Sequence, residues 1–186
     1  MPDAQKNQQD HTPDHSLPKL GVKPYADLLA KTAASETNQH TAYMGLLMLW
    51  LSDHVLDVMD QELAPYDITE SKLDLLLLLT LHDGKELITP SAIAERLGIR
   101  RASATALLDW LEKRNWIVRE QNSADRRRVH VKITAEGRAL VEKVLPAYWS
   151  VCSSLFHELE PEELHVLENV LVKLNRTMEN RLGVGR

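Results

Sequence analysis

Two amphipathic helical patterns joined at a glycine, with an alternating strand close behind, leave residues 89–133 few ways to fold. Thr89 stands where a hydroxyl caps a helix, and Pro90 follows in the first turn, where a missing N–H costs nothing. Ile93, Ala94 and Leu97 give this first helix its buried stripe. Gly98 then supplies a sharp turn that lets two helices cross steeply. In the second helix Ala104, Leu107, Leu108 and Leu111 recur at i, i+3, i+4 and i+7, one continuous apolar face. The opposite side carries Ala102, Ser103, Thr105, Ala106 and Asp109, all small or polar. Asn115 closes the helix as a left-handed cap.

A hairpin follows. Trp116, Ile117 and Val118 supply one strand. In the other, Val129, Val131 and Ile133 alternate with Arg128, His130 and Lys132, which predicts one buried and one polar face. The tip, Gln121 to Asp125, has turn composition and runs into Arg126, Arg127 and Arg128. Helix, turn, helix and basic hairpin together are a winged helix-turn-helix, whose second helix enters a DNA major groove. Small side chains let that helix approach base edges, and Ala and Thr methyls touch a thymine methyl. The candidate DNA contacts are Arg100, Arg101, Ser103, Thr105, Ala106 and Lys113, with Asp125, Arg126, Arg127 and Arg128 on the wing. A run of arginines is often only a solvated face. On a hairpin next to such a helix pair it reads instead as phosphate or minor-groove contact, which a planar, permanent charge suits.

The charge distribution agrees. A chain with net charge −5 argues by itself against a nucleic-acid partner. Residues 89–133, however, hold ten Lys and Arg against five Asp and Glu, so this stretch is +5 and the remainder −10. A basic module on an acidic body is the electrostatic footprint of a DNA binder with one attractive face.

The run ITPSAIAERLGIRRASATALLDWLEKRNWIVREQNSADRRRVHVKITAEG, Ile88 to Gly137, resembles the MarR family of bacterial transcription regulators. Asp125-Arg126-Arg127 on the wing and the exit Ile133-Thr134-Ala135-Glu136-Gly137 are its most specific pieces, and the flanking helices extend the likeness over residues 40–182. Two positions depart from the family pattern. Arg100 stands at the usual Ser cap of the recognition helix, and Asn115 replaces the usual Gly before the wing. Asn tolerates positive φ, so the second change is conservative.

The expected fold is therefore mainly α: a winged helix-turn-helix lobe with a small β-hairpin wing, plus long N- and C-terminal dimerisation helices. Residues 1–23, rich in Gln, Asn, Asp, His and Pro, read as a disordered tail. Residues 24–64 read as N-terminal dimerisation helices. A short one carries Tyr25, Leu28 and Leu29; a long one runs from near Asn38 to Leu63 with Met44, Leu47, Leu51, Val55 and Val58 as its stripe. The lobe spans 65–137, opening on a helix capped by Thr69 whose run Leu75 to Leu79 is apolar all round and so central. Residues 138–182 hold the C-terminal dimerisation helices, one containing Pro146 and one opened by Pro161. In the last, Leu164, Leu167, Leu171, Leu174 and Met178 are spaced 3, 4, 3 and 4 apart, an a/d seam. The resemblance implies a homodimer on a pseudopalindromic operator, with half-sites about 10 bp apart.

It also implies a small-molecule effector bound between the dimerisation helices and the DNA lobe. The candidate lining residues are Trp50, His54, Asp74, Tyr148 and Trp149, with Asp74 the most pointed because a carboxylate opens an otherwise leucine face. An Asp near this point resembles the urate-responsive subgroup, but that subgroup's tryptophan on an extra N-terminal helix is missing, since no Trp precedes Trp50. A small aromatic or phenolic effector is the expectation. No cofactor is expected, and the eight histidines show no tight metal spacing. Neither nucleophile motif nor phosphate-binding loop is visible, so an enzyme is not expected. One cysteine, Cys152, excludes an intramolecular disulfide, and the polar start and short apolar runs predict a cytoplasmic chain without membrane spans. Two other switches stay open at this level: a redox-switched regulator acting through Cys152, and a non-switching architectural DNA-binding protein.

Overall fold

The computed structural model describes residues 21–121 and 129–183. The expected contacts Asp125, Arg126, Arg127 and Arg128, and all but the last residues of the 1–23 tail, lie outside them. The chain divides into two compact units, Met1–Ser52 and Asp53–Arg186. In the first, helix α1 covers Val22–Thr32, starting two residues earlier than the pattern predicts. Helix α2, Gln39–Leu63, begins there and ends in the second unit. Asn38 caps α2, its side-chain oxygen accepting the Thr41 N–H at 3.0 Å.

In the second unit Pro65 turns the end of α2 into a 3-10 turn, Ala64–Tyr66, and Asp67 follows at φ 52°. Helix α3, Glu70–His82, comes next. Thr69 is at its N-cap position, but its hydroxyl bonds no helical N–H; the cap is supplied from α2, where the Asp60 carboxylate accepts the Glu70 N–H at 2.6 Å. A carboxylate is the stronger acceptor at a helix N-terminus, and the Pro65 corner brings it there. Helices α4, Pro90–Arg96, and α5, Arg101–Lys113, precede strands β1, Ile117–Gln121, and β2, Val129–Ile133. Helices α6, Ala135–Ser154, and α7, Pro161–Leu182, complete the chain. Pro146 lies within α6.

The leucine run behaves as its pattern predicts. Leu73, Leu75, Leu76 and Leu79 are buried and Leu77 and Leu78 pack against the same core, which also takes Ile93, Leu108, Leu111, Ile117, Val131, Ile133 and Val144. The hairpin is antiparallel, pairing Ile117 with Ile133, Arg119 with Val131 and Gln121 with Val129. Val131 also bonds Ile88, its N–H donating to the Ile88 carbonyl at 2.8 Å. The burial pattern departs from simple alternation at one place: His130, expected on the polar face, is only 7 % exposed. By contrast α7 buries nothing, and its seam residues Leu164, Leu171 and Met178 face solvent in the single chain, as do Met44, Leu51 and Val58 of α2.

Candidate nucleic-acid interface

The lobe's recognition element is built by local chemistry. Thr89 accepts the Ala92 N–H at 3.2 Å, Pro90 occupies the first turn of α4, and Gly98 turns the chain at φ 62°. Arginine has no acceptor with which to cap α5. Arg100 accordingly sits at that N-cap with extended backbone and no side-chain cap bond, which leaves its guanidinium to solvent. Ala104, Leu108 and Leu111 bury one face of α5, while Arg101, Ala102, Ser103, Thr105, Ala106 and Asp109 are exposed. The Thr105 hydroxyl donates to the Arg101 carbonyl at 2.9 Å, so its oxygen retains only acceptor capacity. Asn115 closes the helix at φ 58°, as its sequence position requires.

The ten cations of residues 89–133 are not equivalent, which the sequence count concealed. Arg96 is paired with Glu86 at 2.7 Å, and Lys132 with Glu120 at 2.7 Å. Arg114 is paired with Asp67 at 2.7 Å. Arg119 reaches back from β1 to Asp109 of α5 at 2.6 Å, with Glu112 at 3.6 Å, tying the base of the wing to the helix. Asp109 belongs to the outward face and serves there as the anchor of Arg119. Among the described residues, Arg100, Arg101 and Lys113 are exposed without an acidic partner. These three frame the exposed face of α5 at both ends. Helix periodicity places each residue on a face but says nothing of which strand residue will reach it, so this division needed the fold.

Of the expected effector residues, the structure brings some together. Tyr148 and Trp149 meet edge to face at 5.0 Å between ring centres. Burial raises the Tyr148 phenol above its usual pKa, helped by Cys152, Glu70 and Asp74, so both carboxylates lie within electrostatic reach of that ring. Asp74 is exposed on α3 and His54 exposed on α2. Trp50 belongs to the N-terminal unit, where Tyr25 of α1 meets it edge to face at 4.6 Å. A concavity of about 380 Å³ opens elsewhere, between the α3–α4 connection and β2, lined by His82, Lys85, Ile88 and Val131, with none of the five candidates in it. Cys152 is half-buried. Among the described residues no helix is long and apolar enough to cross a membrane, and no cluster of three His, Cys, Asp or Glu is placed to hold a metal.

Burial raises the Glu70 carboxyl above its ordinary value, and Asp74 and Asp60 add to the effect. A folded-state pKa above the unfolded one means stability held below the ordinary carboxylate range and lost as pH rises through the raised value. Glu70→Gln is therefore expected to gain on the wild type as pH increases from about 4 to 7. Urea midpoints of both proteins across that range check it; a gap that stays flat or moves the other way contradicts the shift.

The family model of the MarR family matches residues 66–128, which take in α3, α4, α5 and β1 and end just before β2. The chain is 30% identical over 128 residues to the transcriptional repressor MprA of Escherichia coli (strain K12), covering 69% of this chain and 72% of MprA. The chain belongs to the MarR family. Solved structures of the family superpose on this member over most of their length. S. aureus MepR, crystallised in complex with DNA, is 26% identical with a TM-score of 0.64, over 72% of this chain and 96% of MepR. A cysteine-to-serine mutant of E. coli MarR, crystallised with operator DNA, gives 26% identity and a TM-score of 0.64 over 75% of this chain and 99% of the other. The sequence-based identification of family and of a mainly helical winged fold thus holds, and a MarR-family member is a transcription regulator rather than an enzyme.

Proposed function

We propose that this MarR-family protein is a repressor that binds a pseudopalindromic operator as a homodimer and is released by a small aromatic or phenolic effector. The observation that carries DNA binding is the exposed face of α5. Small side chains (Ala102, Ser103, Thr105, Ala106) lie between unpaired cations at its two ends, Arg100 and Arg101 before them and Lys113 after. Such a surface combines close approach to base edges with phosphate attraction on either side. Thr105, with its proton committed to its own helix, is suited to accept from an adenine or cytosine amino group. The MepR and MarR complexes with DNA support the same reading for a related lobe. On the wing, Arg126, Arg127 and Arg128 take phosphate or minor groove beside Asp125.

The dimer reading rests on apolar faces that stay exposed among the described residues of one chain. Residues 24–64 and 138–182 serve as dimerisation helices flanking the lobe at 65–137, and the second copy covers Leu164, Leu171 and Met178 on α7 and Leu51 and Val58 on α2. The effector reading rests on Tyr148, Trp149 and Asp74, aromatic surface beside carboxylates, with His54 as a further candidate.

The test is a gel shift on duplex recovered by the protein from a randomised pool. Two protomers per duplex are expected, with log affinity falling linearly against log salt and a slope of about −5 or steeper. Salicylate-like acids at millimolar concentration are expected to release the duplex, and Cys152→Ser to respond like the wild type. Salt-insensitive binding, or tight binding by a monomer to one half-site, overturns the operator reading. A peroxide response lost in Cys152→Ser transfers the switch to the thiol.

A further inference from the structure

At the far end of α5 from its unpaired arginines, one side chain holds the recognition helix to the corner between α2 and α3. Arg114, the first residue after α5, donates from Nη2 and Nε to a single oxygen of Asp67, at 2.7 and 3.2 Å. Its guanidinium lies 3.5 Å from the centre of the Trp110 ring and 5.8 Å from that of Trp116, and the two indoles meet edge to face at 5.4 Å. Lys72 of α3 also stacks on Trp110, at 4.3 Å. Asp67 is itself held: it sits in the left-handed region, and its N–H donates to the Ala64 carbonyl at 3.0 Å.

An exposed ion pair alone fixes little. Here the guanidinium is constrained twice, by a carboxylate in its plane and by an indole across its face, and a planar fork answers both demands where an ammonium cannot. The residues come from three places: the corner that ends α2, the first turn of α3, and the last turn of α5 with the residues that follow it. Asp60 pins the same corner from the other side by capping α3. The contact therefore joins the last turn of α5 to the end of α2, with little slack.

We propose that Arg114 is a positioning residue: clamped by Asp67 and Trp110, it fixes the tilt of α5 against the end of α2 and thereby sets which half-site spacing the dimer accepts. The proposal rests on the operator-binding reading, in which α2 belongs to the scaffold joining two lobes. A helix held rigidly to that scaffold meets the second half-site at one separation; a helix free to rock tolerates several.

The experiment uses the full-length protein and the duplex selected by the wild type, together with versions carrying one base pair more or fewer between the half-sites. For the wild type, each change of spacing is expected to cost at least about tenfold in affinity, whereas Arg114→Ala and Arg114→Lys lose no more than about threefold. Asp67→Asn, which tolerates the left-handed backbone but removes the charge, is expected to fall between. Salt slopes stay at the wild-type value in all three, because Arg114 is spent on Asp67 and not on phosphate. Thermal melts identify any variant that fails to fold, and Asp67→Asn then carries the test. Undiminished spacing preference in folded Arg114→Ala overturns the inference alone. So does equal weakening on every spacing with a shallower salt slope, which makes Arg114 a phosphate contact. A wild type that binds none of the duplexes removes the operator reading and this inference with it.

Discussion

Gly137→Ala is expected to cost about 3 kcal/mol of stability, the upper end for an added methyl group, because the methyl has nowhere to go. A Cβ built at Gly137 overlaps the backbone oxygen of Trp116 and lies 2.9 Å from Cγ1 of Ile133. The backbone oxygen cannot yield as a side-chain tip would, since it accepts the Thr134 N–H at 3.0 Å. Thr134 completes the joint. Its hydroxyl donates to the Asn115 carbonyl at 2.7 Å and accepts the Gly137 N–H at 3.0 Å, so the first turn of α6 is stitched to the segment that leaves α5. Relief of the overlap has to lift α6 away from the start of β1, opening the core around Val141, Val144 and Ile117. Urea unfolding measures the loss, with Glu136→Ala, an exposed neighbour on the same turn, expected to change stability by no more than about 0.5 kcal/mol. A cost below about 1 kcal/mol for Gly137→Ala means that the junction is looser than its packing implies.

Gly137 also marks where sequence reading stops. The exit Thr134 to Gly137 is visible as a family motif, and Thr134 as a cap follows from hydroxyl chemistry. That Gly137 must lack a Cβ depends on a carbonyl twenty-one residues away, and no local pattern carries that. The same limit recurs. Thr89, Gly98 and Asn115 were legible because each acts on its own turn of chain. Thr69 misled because the acceptor for the α3 terminus comes from α2, ten residues back around a corner. His130 misled because alternation says which face of a strand a residue takes and not what the fold packs against that face. The pairs Asp67–Arg114 and Asp109–Arg119 were hidden for the same reason, since a charge count cannot distinguish a cation already engaged by the fold from one left to solvent.

That distinction yields the second large effect, Arg101→Gln, which is expected to weaken duplex binding about 100-fold, from roughly 1.5 kcal/mol lost at each of two protomers. Arg101 is the first helical residue of α5, where unsatisfied backbone N–H groups already favour an anion, and it is exposed with no acidic partner among the described residues. A phosphate lost from each half-site lowers the magnitude of the salt slope by about 2 for the dimer. Lys132→Gln is the matched control. Lys132 lies on the wing strand with the same formal charge, but Glu120 holds it at 2.7 Å, so its removal is expected to leave slope and affinity close to the wild type. Titrations of both variants at several salt concentrations separate the outcomes. If Arg101→Gln weakens binding without changing the slope, its guanidinium reads a base edge instead of a phosphate. If both variants lower the slope alike, engaged and free cations contribute equally, and the assignment of DNA contact to the unpaired ones fails.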